Sequence, residues 1–535
     1  MRDVAAPNAG DPEPAAAGST GRPVCGSASR FAVVGGGIAG LAAAHRLLER
    51  AREAGRPINV TLFEAADRLG GAIDTRRGDF AKSAKSGQHG EHRQHAEYLV
   101  EAGPDAFITN KPWAVDLCRR LGLEDRLIST EPRYRRSLVL HKGRPVPVPE
   151  GFLLLAPARV WPVLRSPLFT LRGKLRMGLE YVVPRRTGDG DADESLASFV
   201  RRRFGREALD RLVQPLVGGI YTSDPEKLSL AATMPRFLEM ERRHRSLIRA
   251  SRRQAAGESS GGRTESGARY GLFTAPAGGM GELVAAVEGR IRGLGGVIRT
   301  GTRVAGMRPH SGSQPGDGPA TRHSWDLRVV GSATPAGETS AAFDAVILAL
   351  PAWRAAELVA DFDAALASEL RTIEYASSAI VVSGHDLAGI AHPLDASGLV
   401  IPAIERRSIL AVSFSSRKFA GRAPECRVLL RTFVGGALQP EFLQHSDDEL
   451  IGLVRAELAD LLGVRGREDF AFVARHERSM PQYHVGHLER VARIERERSK
   501  HPTLALAGNA CYGVGIPDCI HSGERAAELV SGEWL

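Results

Sequence analysis

Cysteine is scarce. Five residues in 535 (Cys25, Cys118, Cys426, Cys511 and Cys519) are odd in number and include no CxxC pair. That excludes a disulfide framework, offers no metal-ligand spacing, and fits a reducing cytoplasm. No apolar stretch reaches the roughly 18–20 residues that cross a bilayer. Residues 1–29 lack the hydrophobic segment of a secretory signal, and their Ala/Pro/Gly-rich composition predicts a disordered tail. Aromatics make up only 6% of the chain, and they do not interleave with the arginines that dominate its net charge of +9. Those arginines are spread along the chain: Arg133, Arg135 and Arg136, then Arg201 to Arg203, then the run from Arg242 to Arg253. This pattern argues against a nucleic-acid partner and leaves solvated helix faces, an anionic substrate or anionic lipid. No nucleophilic Ser/His/Asp or Cys/His motif occurs. With 43% hydrophobic and 25% charged residues the chain is an ordinary globular one, long enough for two or three units.

Glycine, by contrast, is abundant, with 59 residues, many of them beside apolar runs. Phe31 to Val34 reads as a buried strand and is followed at once by Gly35-Gly36-Gly37-Ile38-Ala39-Gly40. A helical pattern then runs to about Ala54, with Leu41, Ala44, Leu47 and Leu48 on one face, and Ile58 to Phe63 reads as a second strand ending on Glu64. This is a βαβ unit carrying GxGxxG. Gly35 allows the tight turn, Gly37 lets the backbone approach a pyrophosphate, and Gly40 lets the helix pack on the strand. The helix N-terminus offers free N–H groups to the phosphates, and Glu64 suits the hydroxyls of an adenosine ribose. A dinucleotide site follows.

Asp67-Arg68-Leu69-Gly70-Gly71 extends Glu64 into ExxxRxGG. The extension resembles flavoproteins of the amine oxidase and phytoene desaturase group, which implies FAD rather than NAD. Further segments fit that architecture. Gly278 to Gly281 opens a helix, Gly296 to Val304 reads as a strand with Val304 near the adenine, and Phe343 to Pro351 reads as a central strand. Leu504 to Asn509 reads as another buried strand, followed by a glycine loop (Tyr512 to Pro517) and a helix from about Asp518, whose N-terminus would face the flavin.

Four stretches narrow the resemblance to the porphyrinogen oxidases. They are Gly103-Pro104-Asp105-Ala106-Phe107, the run Gly218-Gly219-Ile220-Tyr221-Thr222-Ser223-Asp224 with Leu228-Ser229 and His244-Arg245-Ser246, Pro481-Gln482-Tyr483 with Gly486-His487, and Gly508 to Ile520 with Ser522-Gly523. The resemblance implies an α/β fold (α+β overall) of the two-dinucleotide-binding-domain type. Its implied parts are an FAD-binding domain over 30–137, 254–352 and 489–535, a helical membrane-facing or substrate-gating domain over 138–240, and a substrate domain of mixed sheet over 241–253 and 353–488. It also implies non-covalent FAD held by Gly35, Gly36, Gly37, Ile38, Ala39, Gly40, Glu64, Ala65, Arg68, Gly71, Ala72, Gly103, Pro104, Asp105, Ala106, Val304, Val514, Gly515 and Ile516, with no metal.

The implied reaction is a six-electron, O2-dependent oxidation of coproporphyrinogen III or protoporphyrinogen IX in haem biosynthesis, releasing hydrogen peroxide. Flavin N5 accepts hydride and no side chain acts as the catalytic group. Arg136 is the candidate propionate anchor, although Ser137 stands at the family's arginine position. Ser397, Val400 and Phe433 are candidate walls for the macrocycle, with Ser397 where some relatives carry an aromatic. The apolar clusters at 151–157, Trp161 and Leu168-Phe169, flanked by Arg165 and Arg172, suit a peripheral membrane surface or an ordinary helical core. A homodimer is a further partner expectation. An insertion from about Ala81 carries His89, His92 and His95 at spacings of three, and its Gly/Ser/Gln surroundings predict a surface loop rather than a metal face. Two rivals share the FAD motifs: an amine oxidase or carotenoid desaturase, and a non-catalytic binding protein.

Overall fold

In the computed structural model the described residues are 28–78, 80, 97–153, 155–157, 159–186, 193–257, 272–310, 325–331 and 339–532. The N-terminal segment, the insertion with His89, His92 and His95, and most of the 309–340 loop lie outside them.

Five short parallel strands form the first sheet, in the order Val297–Arg299, Ile58–Phe63, Ser29–Val34, Ala345–Leu348, Leu504–Leu506. Phe31, Ala32, Val33, Ala345, Val346 and Ile347 are fully buried, as expected of a parallel sheet covered on both faces. Helices Ile38–Ala54, Met280–Gly293 and Ile516–Ser531 cover one face. The other face packs against a three-stranded antiparallel sheet (Thr302–Pro309, Trp325–Gly331, Thr339–Phe343) and helices Ala352–Val359 and Ala364–Arg371. Two local expectations shift. The single strand over 296–304 is two strands, broken where Gly301 adopts φ +59°. The last helix starts at Ile516 rather than Asp518, because Pro517 sits in its first turn, where no N–H is required.

The second sheet has seven strands, in the order Phe470–Pro481, Tyr375–Asp386, Arg427–Gly435, Ala411–Phe414, Gly398–Val400, Ser137–His141, Arg144–Pro147. Helix Asp447–Leu462, begun by a capping box between Ser446 and Glu449, covers its back face. Residues 138–147 therefore leave the helical unit in which the sequence had them. Ser137–Val139 pair in parallel with Gly398–Val400, and Leu138 and Leu140 complete the back core of the sheet. The opposite correction applies to 241–253, which the sequence reading puts in the substrate domain. Leu247, Ile248 and Ala250 pack with Leu196, Phe199 and Phe204, so this stretch belongs to the helical unit.

At the centre of that unit, Glu180 and Arg203 form a fully buried ion pair. Glu180 also accepts bonds from the Ser246 hydroxyl at 2.6 Å and the Leu247 amide at 2.8 Å. The His244-Arg245-Ser246 stretch thus has a structural role: Ser246 binds the buried carboxylate, and the Arg245 carbonyl accepts a bond from Arg203. Among the described residues no helix is long and apolar enough to cross a membrane.

Candidate active site

The glycine turn divides its labour as the pattern predicts. Gly35 has φ +109°, and a Cβ there would collide with the Ala349 carbonyl. A Cβ on Gly40 would run into the Gly35 carbonyl, so only glycine lets the helix lie this close to the strand. Gly37 is the opposite case. Its φ is −70°, and among the described residues an added Cβ meets nothing within 4 Å and no side chain caps the helix that it precedes. Open space therefore faces uncapped N–H groups at the positive end of a 17-residue helix. Ile38 and Ala39 are buried beneath it, and Gly523 of the last helix packs against the Ala39 carbonyl too closely for any side chain.

Glu64 sits at the rim of this space. Its Oε2 accepts the Gly36 amide at 2.6 Å and its Oε1 accepts the Ala66 amide at 2.8 Å. The RxGG segment folds back over the turn, with the Gly70 amide donating to the Gly36 carbonyl at 2.9 Å. Arg68 donates to the carbonyls of Leu69, Ile73 and Gly71 at 3.2, 2.9 and 2.7 Å, so its guanidinium holds the loop's shape. Ala65, Arg68, Gly71 and Ala72 remain exposed along the cleft. Val304 is buried in the same core as Val34 and Phe63.

Gly103 lies against the Ala72 carbonyl, where a Cβ would collide, and Pro104 and Ala106 are half-buried beside it. Asp105 binds Lys418 Nζ at 2.9 Å and Arg431 Nη1 at 3.1 Å. Burial pushes the Asp105 carboxyl up, but the two cations overcome it and hold it at about 2. Arg431 also donates to the Gly103 carbonyl. Lys418 was not read from the sequence, since a lone lysine 313 positions away carries no local signal. Nearby, Glu101 accepts the Met280 amide at 2.7 Å and the Thr75 hydroxyl at 2.6 Å. Burial raises its carboxyl to about 7.

Val514 and Gly515 lead into a second uncapped helix, Ile516–Ser531. Lys111 Nζ meets Asp518 at 2.5 Å in its first turn. The PQYxxGH stretch lies directly behind this loop. Tyr483 donates its hydroxyl to the Asn509 carbonyl at 2.5 Å and accepts the Gly513 amide at 2.9 Å. His487 Nε2 meets the Cys511 carbonyl at 3.0 Å.

Across from these elements stands the front face of the seven-stranded sheet. Register places Val139, Val400, Ala411, Phe433 and Ile380 in one lateral row, with Ser137, Gly398, Ser413 and Arg431 in the next. Helix Gln214–Tyr221 lies over this row: a Cβ on Gly219 would stand 3.9 Å from Val400 Cγ1. Val400, Val514 and Tyr221 all pack against the helical unit's core, so three parts of the chain border that core.

Two candidates are not placed there. Arg136 binds the Asp395 carbonyl at 2.6 Å through Nε and pairs with the Asp395 carboxylate, half-exposed beside the back-face residues Leu394 and Ala396. It is Ser137, buried, that shares the row of the front face. Ser397 is buried and spends its hydroxyl on the Tyr134 carbonyl at 2.6 Å. A cavity of about 510 Å³ opens farther along the sheet, lined by Asp224, Lys227, Tyr375, Gly436, Gln482 and His484 among others, and reaches neither Val400 nor Phe433.

The profile of the family described as flavin containing amine oxidoreductase matches residues 38–531, nearly the whole described chain. The chain belongs to that family. A coproporphyrinogen III oxidase of Bacillus subtilis (strain 168) is 32% identical over 499 residues, covering 92% of this chain and 96% of the relative. One of Propionibacterium freudenreichii subsp. freudenreichii is 33% identical, covering 97% and 94%. The chloroplastic protoporphyrinogen oxidase of Nicotiana tabacum is 27% identical, covering 94% and 85%. A solved Exiguobacterium sp. 255-15 structure, provisionally named a protoporphyrinogen oxidase, superposes with a TM-score of 0.78 at 26% identity, over 95% of this chain and 99% of that one. The resemblance drawn from the four motif stretches is thereby borne out, as is the expectation of a flavin oxidoreductase.

Proposed function

We propose that this flavoenzyme binds FAD without a covalent bond and oxidises a porphyrinogen to the porphyrin in haem biosynthesis, with coproporphyrinogen III as the substrate. The residues fit the cofactor. Gly37 leaves open space at an uncapped helix end for a pyrophosphate, Glu64 stands where an adenosine ribose would lie, and a second uncapped helix begins at Ile516. Bound flavin supplies two-electron oxidation and passes the electrons to O2 as peroxide. Removing six electrons takes three such rounds.

The chain's own residues hold, orient and exclude water. Gly103 to Ala106 and Val514 border the flavin cleft, while Val400 and Phe433 offer the macrocycle an apolar wall. Arg136 is left out of this scheme, because its guanidinium is committed to Asp395. We assign 30–136, 272–352 and 489–532 to the cofactor half and 160–257 to the helical unit. Trp161, Leu171, Leu175 and Val182 of that unit are exposed at 69%, 84%, 70% and 63%, among Arg165, Arg172 and Lys174. This supports an enzyme whose helical unit rests against an anionic membrane surface.

The observation that carries the reading is whole-length likeness to coproporphyrinogen III oxidases together with an intact dinucleotide cleft. Assaying both porphyrinogens side by side with FAD-loaded enzyme under air tests it. Faster turnover of coproporphyrinogen III is expected. Turnover of protoporphyrinogen IX alone would overturn the substrate, and turnover of neither would overturn the activity.

A further inference from the structure

The strap from Gln482 to His487 is bonded on both sides. Towards the helical unit, the Ser229 amide donates to the Tyr483 carbonyl at 2.7 Å, and the Val485 amide donates to the Lys227 carbonyl at 2.8 Å. Ser223 donates its hydroxyl to Gln482 Oε1 at 2.7 Å, and the Gly486 amide meets Asp193 Oδ2 at 3.0 Å. Towards the cofactor half, the only links formed by side chains of the strap to the 509–513 loop are those of Tyr483 and His487. The two rings stack with centroids 3.9 Å apart and planes 14° apart, so neither can rotate without moving the other.

The hydrogen-bond roles are also determined. Cys511 offers a carbonyl, which only accepts, so His487 must carry its proton on Nε2. Its Nδ1 is then an unprotonated acceptor, buried without a partner among the described residues. Burial pushes the imidazole down to about 4, which keeps this neutral tautomer through the working pH range. The loop that the pair grips needs such support. Gly508 and Gly513 stand at φ +123° and +140°, and no side chain caps the helix that follows.

We propose that Tyr483 and His487 are positioning residues for the flavin: they fix the Asn509–Gly515 loop, and with it the positive end of helix Ile516–Ser531, and they couple that geometry to the seating of the helical unit through Ser229 and Lys227. The inference rests on the reading that flavin lies at this loop. Two gripped backbone groups, the Asn509 carbonyl and the Gly513 amide, are released together if the Tyr483 hydroxyl is removed. A helix end displaced from the flavin stabilises its reduced, anionic form less.

The test uses the full chain with Y483F, H487Q and H487F, read in three ways. In protein stripped of flavin, amide exchange over 509–515 is expected to rise about 10-fold in Y483F, as loss of one buried bond allows. In flavin-loaded protein the midpoint potential should fall in Y483F and H487F. H487Q, which restores a donor in place of Nε2–H, should return it towards the wild-type value. With substrate, kcat should drop about 10-fold in Y483F while KM stays unchanged, because the macrocycle wall is untouched. Wild-type protein that takes up no flavin would sink the functional reading. Unchanged exchange at 509–515 in Y483F would sink the clamp by itself. Faster exchange with an unmoved potential would show a merely structural tie and overturn the positioning role.

Discussion

The dinucleotide cleft and the front face of the seven-stranded sheet are built in opposite ways. The cleft is made of backbone from a single stretch, Gly35 to Ala72, with glycines at the positions where a Cβ would collide or a phosphate must approach. The sheet face is made of side chains from Val139, Val400, Ala411 and Phe433, which register brings together across about 300 positions of chain. One region tolerates almost no change in backbone shape and needs few side chains. The other depends on which face each side chain occupies, and a shift of one residue reverses that. Asp105 joins the two: it follows Gly103 and Pro104 in sequence and pairs with Lys418 and with Arg431 of the sheet.

Substitutions can break this contrast where it is strongest. Gly40→Val forces a branched side chain against the Gly35 carbonyl and should cost at least about 3 kcal/mol, read as loss of soluble, folded protein or a large drop in thermal midpoint. Gly37→Val adds the same side chain where nothing obstructs it. The flavin-free protein should melt within about 2 °C of wild type, whereas FAD affinity falls at least about 100-fold in a titration. A parallel loss of stability in Gly37→Val would erase the distinction between the two glycines.

The junction responds to pH. Asp105 is held at about 2, below its ordinary 3.8, so its contribution to stability is present above pH 3.8 and is lost as pH falls towards 2. Lys418→Met leaves only Arg431 as a partner and should cost about 1–2 kcal/mol at pH 6. The gap between variant and wild type should close as pH approaches 2 in a series of thermal melts. The smallest effect belongs to Arg136→Ala. Its partner Asp395 is similarly half-exposed, so stability should change by less than about 0.5 kcal/mol and kcat/KM should stay as in wild type. A large loss in kcat/KM would restore Arg136 as the propionate anchor.

The same contrast explains what could be read from residues alone. The turn, the first helix and the acidic strand end were legible because each is a local backbone demand met by one residue type. Gly35 and Gly40 lie where the pattern puts them, whereas the start of the last helix is displaced by Pro517 and the strand over 296–304 is split at Gly301. Arg136 and Ser137 differ by one position, and only the pairing of Ser137 with Gly398 tells which shares the front face. The sequence pattern puts 138–147 in the helical unit for the same reason, since the strand that claims Ser137–Val139 lies some 260 positions away. Tyr483 and His487 were visible as a motif, but their grip on the 509–513 loop depends on a fold-back that no spacing encodes.

Flavin-dependent porphyrinogen oxidation is tested most directly by the electron balance of the reaction. Flavin-loaded protein, coproporphyrinogen III and air are mixed, and peroxide and porphyrin are quantified together in the same samples. Three two-electron rounds predict about three peroxides for each coproporphyrin formed, with porphyrin absent when the flavin is removed. Porphyrin forming no faster than in the protein-free control, or a yield independent of flavin, would contradict it.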